Sequence, residues 1–96
     1  MQSEGLRFEV LVNGVRRCMA GSVGPGSLAA EVIRWRSRSP DEPPESAHLI
    51  VQGSRTDNDL YIRWVAEDLN LGDEITIRVL GPGACDEPSH RAQRDA

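Results

Sequence analysis

LAAEVIRWRS, residues 28 to 37, decides the fold of this chain, because its apolar residues are open to a helical and to an extended reading. Leu28, Val32 and Trp35 recur at helical spacing, with Ala29 and Ile33 beside them. Ser27 stands where a helix cap would stand, and Glu31 suits the first turns of a helix. Val, Ile and Trp favour a strand, but the adjacent apolar pairs Leu28-Ala29 and Val32-Ile33 break strict alternation. The spacing predicts a helix over 28–37, with a strand as its rival.

Upstream, LRFEVLV (residues 6 to 12) sets Leu6, Phe8, Val10 and Val12 against Arg7, Glu9 and Leu11, the alternation of a half-buried strand. Asn13-Gly14 supplies the two positive φ angles of a type I′ turn, so VRRCMA (15 to 20) is expected to return antiparallel. Residues 21 to 27, with three glycines and a proline, break the pattern. Downstream, SRSPDEPPES (37 to 46) is a loop by its prolines, and HLIVQ (48 to 52) reads as a buried strand ending at Gly53. SRTDND (54 to 59) is turn-rich. Leu60 to Leu71 is ambiguous, divisible into a short strand at Leu60–Ile62 and a helical turn at Val65–Leu69, and EITIRVL (74 to 80) alternates as the last strand. From Gly81 the chain reads GPGACDEPSHRAQRDA, without periodicity. The expected organisation is a short arm over 1–5, one domain over 6–81 and a disordered tail over 82–96. With a helix at 28–37 the domain is an α+β fold of order ββαββ, a four-stranded mixed sheet packed on one helix, which is the β-grasp.

Three stretches resemble the ubiquitin-like (β-grasp) family between Phe8 and Gly83. They are Pro43-Pro44 followed at family spacing by Leu49-Ile50 and Gly53, then Asp68-Leu69-Asn70-Leu71, and then the closing strand EITIRVLGPG. The resemblance implies a non-enzymatic domain that binds a partner protein through its sheet face around His48, Ile50 and Arg78. It also implies an alternative: a modifier precursor cut after Gly83 and conjugated through that glycine, or a sulfur carrier using the same end, served by an activating enzyme and a processing peptidase. Two departures stand against the alternative. Pro82 stiffens the segment between Gly81 and Gly83, and thirteen residues follow Gly83. Arg78 stands where the family's apolar patch has a valine, so the expected surface is more cationic.

Composition narrows the partners. The 96 residues carry a formal charge of −4, which argues against nucleic acid, whose phosphates need clustered cations. All eleven basic residues are arginine. No apolar run is long enough for a membrane helix and the N-terminus lacks a signal-peptide pattern, so a cytoplasmic protein is expected. Cys18 and Cys85 match no metal spacing and are expected as free thiols, with Asp86 and Glu87 raising the Cys85 pKa.

No catalytic, metal-binding or cofactor-binding set is evident, and no small-molecule substrate is implied. His48 and His90 are the only histidines, and His48 is expected at a strand edge without a general-base role. Arg34, Arg36 and Arg38, with Arg16 and Arg17, are either a solvated surface or a basic face for an acidic partner. Trp35 and Trp64 are both expected in the core.

Overall fold

Every regular element among the described residues, 1–22 and 24–93 of this computed structural model, is a strand. In chain order they are β1 (Gln2–Ser3), β2 (Arg7–Val12), β3 (Val15–Ala20), β4 (Gly26–Arg36), β5 (Glu45–Arg55), β6 (Leu60–Leu69), β7 (Ile75–Leu80), β8 (Gly83–Ala84) and β9 (His90–Gln93). The expected hairpin forms as β2 and β3, with φ of 52° at Asn13 and 79° at Gly14. The last strand forms over 75–80 beside β2, but it runs antiparallel to it and not in the mixed sheet that was expected, Val10 opposite Ile77 and Val12 opposite Ile75.

The predicted helix does not form. β4 is extended and pairs antiparallel with β5 residue for residue, from Gly26 opposite Arg55 to Arg36 opposite Glu45, without a bulge. This overturns the α+β β-grasp: no helix exists among the described residues, and every ladder is antiparallel. The physical reason lies in the apolar pairs that spoiled the alternation. A strand that buries part of one face and shows apolar side chains on the other also reads as i, i+4, i+7. Val32, Ile33 and Trp35 then settle into the extended backbone that β-branched and aromatic side chains prefer. Ser27 caps nothing, and its Oγ instead shares a hydrogen bond with Ser54 Oγ at 2.9 Å. The proline-rich loop joins two strands of 11 residues each as a hairpin. The HLIVQ strand accordingly runs on through Gly53, and Leu60–Leu69 is a single strand. No helix among the described residues is long and apolar enough to cross a membrane.

The strands form sheets in the orders β3-β2-β7 and β4-β5-β6-β9, with a small β1-β8 ladder. The two larger sheets meet in one core. Val10, Val12, Cys18 and Ala20 from one pack with Leu49, Val51, Ile62 and Trp64 from the other. A bulge in the β5–β6 ladder sets Arg63 opposite Gln52 and Val65 opposite Val51, leaving Trp64 between them as the extra residue. Trp64 is buried, and its Nε1–H donates to the Asp86 carbonyl at 2.9 Å.

That bond belongs to the segment expected to be a disordered tail. Over residues 83–93 the chain forms β8 against β1 and β9 against β6, and it buries Cys85. Asp86 also closes the outer edge of β3, its N–H donating to the Met19 carbonyl and its Oδ2 accepting from the Met19 N–H, both at 2.8 Å. The packed unit therefore reaches past residue 81, and the last three residues of the expected tail, 94–96, lie outside the described residues. Cys18 and Cys85 are both free and buried. The Cys85 thiol is raised as expected, but first by burial and only then by Asp86 and Glu87.

The hairpin turn is tied to the β6–β7 connection. Asn13 Nδ2 donates to Asp73 Oδ1 at 3.0 Å, Asn13 Oδ1 accepts from the Glu74 N–H at 2.9 Å, and Asp73 Oδ2 accepts from the Asn70 N–H at 2.7 Å. The bonds from Asn70 and from the Asn13 amide hold the Asp73 carboxyl below the usual carboxylate range, the Asn70 N–H contributing most. Asn13→Gly keeps the positive φ and removes both side-chain bonds to the 73–74 turn. It is expected to destabilise the fold by about 1–2 kcal/mol in urea unfolding with an unchanged m value.

A second expectation concerns Cys18, whose thiol is pushed up to about 11 by burial first and the Asp86 charge second, with Arg16 opposing. A raised folded pKa means this contribution is complete below the thiol's ordinary value of about 9, and is lost as pH climbs through about 11. The urea midpoint should fall between about pH 8 and about pH 10.5, and by less in Cys18→Ala.

Candidate functional site

β4 is an edge. It pairs with β5 on one side and has no second neighbour among the described residues. Two backbone bonds fix which of its groups are free. Ser37 N–H donates to the Pro44 carbonyl at 3.2 Å beyond one end of the ladder, and Thr56 N–H donates to the Pro25 carbonyl at 3.1 Å beyond the other. Antiparallel bonding alternates, and this ladder has no bulge, so both anchors give one answer. The N–H and C=O of Ala29, Glu31, Ile33 and Trp35 turn toward β5, while those of Leu28, Ala30, Val32, Arg34 and Arg36 turn outward.

The pleat sorts the side chains. Leu28, Ala30 and Val32 stand on the core side opposite Gly53, Val51 and Leu49, while Glu31, Ile33 and Trp35 stand on the outer face opposite Ile50, His48 and Ser46. Trp35 is 61% exposed, contrary to the expectation of a core tryptophan, because no layer of the described residues covers the outer face where it stands. Ile33 and Val32 are also exposed. β3 touches β6, and β7 and β4 are the edge strands of their sheets on the far side from that contact. There the inward side chains Ile77 and Val79 are exposed as well, and the sandwich is not sealed.

On the outer face, Trp35, Pro43, Ser46, His48 and Asp68 line an open groove of about 510 Å³. His48 and Asp68 are direct cross-strand partners, His48 Nδ1 lying 2.8 Å from Asp68 Oδ1. A carboxylate only accepts, so Nδ1 donates to it, and in the neutral imidazole Nε2 then accepts from the Ser46 hydroxyl at 3.1 Å.

Of the residues expected to form one binding face, the structure sets His48 and Ile50 on the outer face of β5, His48 in the groove with Trp35, and excludes Arg78. Arg78 stands opposite Glu9 on the outward side of the other sheet, bonded to Glu9 Oε1 at 2.8 Å. The grouping depended on a single sheet, whereas this chain stacks two. The glycines of the conjugation alternative are built into the fold. The Gly81 carbonyl accepts from Arg7 Nε at 2.7 Å, and Gly83 pairs with Ser3. A side chain at Gly83 would meet the Arg7 guanidinium at 2.8 Å.

The arginines divide too. Arg17 pairs with Glu67 at 2.9 Å and Arg16 with Asp86 at 3.8 Å. Arg34 lies 3.6 Å from Glu45, and Arg36 and Arg38 make no ion pair among the described residues. No group of three or more His, Cys, Asp or Glu side chains is set to hold a metal among the described residues. Sequence reasoning missed Ser46, Asp68 and the exposure of Trp35. The signal for Ser46 was its i, i+2 spacing to His48 on a strand, but Asp68 is linked to them only by register.

Comparison with protein-family models, with curated proteins and with solved structures finds no match to this chain.

The contrast between the two tryptophans is open to a direct check. Acrylamide quenching of the native protein should resolve an accessible and a protected component, and Trp35→Phe should remove the accessible one. Loss of the protected component instead would contradict this placement.

Proposed function

We propose that this chain is a protein-interaction module that captures an extended segment of a partner by strand addition to the free edge of β4. The observation that carries the reading is an 11-residue edge strand whose outward N–H and C=O groups lack a neighbouring strand and whose exposed Trp35 and Ile33 lie beside them. Such an edge is normally blunted by proline, a bulge, shortness or charge, and β4 from Gly26 to Arg36 has only the last of these, in Glu31, Arg34 and Arg36.

Charge indicates the kind of segment. Arg36 and Arg38 have no acidic partner among the described residues, and Arg34 holds only an exposed one at 3.6 Å. A partner strand carrying carboxylates opposite this end of β4 and apolar side chains opposite Ile33 and Trp35 complements both. The occupant is therefore an acidic, extended peptide segment.

The outward N–H of Val32 makes a clean test. Val32→Pro removes an outward donor without deleting a β4–β5 bond, a position where an edge strand tolerates proline, whereas Ile33→Pro deletes a ladder bond. A synthetic peptide alternating glutamate with valine is the probe, and a lysine–valine peptide is its control. Binding of the acidic peptide should weaken by about 10-fold or more in Val32→Pro and in Trp35→Ala, with the unfolding midpoint of Val32→Pro nearly kept. Equal binding of the lysine peptide, or unchanged affinity in both variants, refutes the reading. Self-association abolished by Val32→Pro would replace the acidic segment with a second copy of the chain.

A further inference from the structure

We infer that Ser46 is an acylatable serine, served by His48 as general base and by Asp68 as the group that orients His48, and that its substrates are esters with a good leaving group. This does not depend on strand addition, since it rests on side chains of the outer face and not on the β4 edge.

Three observations carry it. The atoms are joined in the order acyl transfer requires: carboxylate to Nδ1 at 2.8 Å, then Nε2 to hydroxyl at 3.1 Å. The acceptor-only carboxylate fixes the imidazole tautomer, so the basic lone pair faces Ser46. Trp35 and Pro43 line the groove alongside the three groups and offer apolar surface to an acyl or aryl substituent.

In the step itself, His48 Nε2 takes the proton of Ser46 Oγ as the oxygen bonds the ester carbonyl carbon. The carbon–oxygen bond to the leaving alcohol breaks, and that oxygen departs with the electron pair and receives the proton from His48. Water then cleaves the acyl–Ser46 ester, giving the carboxylic acid and restoring the hydroxyl.

The same geometry limits the substrate class. The Ser46 N–H is turned toward the β4 ladder opposite Trp35, so it cannot donate to a tetrahedral oxyanion on the outer face. With that charge left to solvent, amides and ordinary alkyl esters are out of reach, and aryl esters or thioesters are not.

The test uses the full chain with 4-nitrophenyl acetate, following nitrophenolate release and locating the acetyl group by mass spectrometry of peptides. An acetyl group on Ser46 is expected, with nitrophenolate release at least about 10-fold faster than from Ser46→Ala, as general-base assistance supplies about 10²- to 10⁴-fold. His48→Gln should slow acylation to a similar degree. Asp68→Asn should slow it less, and circular dichroism should show the strand content of each variant unchanged. Acetylation of His48 or the α-amino group with Ser46 unmodified, or undiminished release by Ser46→Ala, overturns the proposal.

Discussion

The constraint on which this architecture depends is the unbroken pairing of Gly26–Arg36 with Glu45–Arg55. Once these two segments lie side by side, the core face of β5 is defined by Leu49, Val51 and Gly53, and β6 must follow as its other neighbour. Gly53 is part of the fit. A Cβ there would meet the Ser27 carbonyl at 2.8 Å, so a side chain would push β4 away from β5. The β2–β3 hairpin, with β7 beside it, then covers the face that β5 and β6 present. Without the β4–β5 ladder β5 becomes an edge, and Leu28 and Ala30 no longer pack beside the core that β2 shares with β5 and β6.

A sandwich has edges, and this one treats them unequally. The segment after β7 covers two. Asp86 closes β3 through both its backbone and its side chain, and β9 continues the ladder beyond β6. Sequence that looks like a tail by composition thus protects two edges, and it holds through main-chain bonds that composition does not encode. The edges of β7 and β4 have no such cover among the described residues, and the inward side chains Ile77, Val79 and Val32 are exposed there.

What was legible in the sequence was local. Asn13-Gly14 fixed a turn through two φ angles, and the alternation of 6–12 and 75–79 fixed two strands, because those signals act within a few residues. What was not legible depended on register. LAAEVIRW fits a helix as well as a two-faced strand, and only a partner segment of equal length decides between them. The candidate site divides in the same way. His48 and Ile50 share a strand and a parity, so their shared face could be read. Arg78 could not be placed without knowing that the chain stacks two sheets. Asp68 reaches His48 only through the β5–β6 ladder, and Trp35 is exposed only because β4 lies at an edge. The likeness to a β-grasp rested on spacings within loops and strands, which a chain can satisfy without the helix that defines the fold.

The pleat of β4 also bears on what can pair with it. Two copies joined about a two-fold axis must set outward-turned residues opposite one another. A pairing centred on Glu31 or on Arg34 places like charges in direct opposition, which costs stability. A pairing centred on Val32 sets Arg34 against Ala30 and Arg36 against Leu28, and one centred on Ile33 sets them against Val32 and Ala30. Neither offers an arginine a carboxylate directly across the strands. The charges of β4 thus leave each symmetric register either repulsive or uncompensated, while an acidic strand from elsewhere compensates the arginines. An edge left open by proline, lysine and bulge alike is in this way still selective, through the arginines that flank its apolar centre.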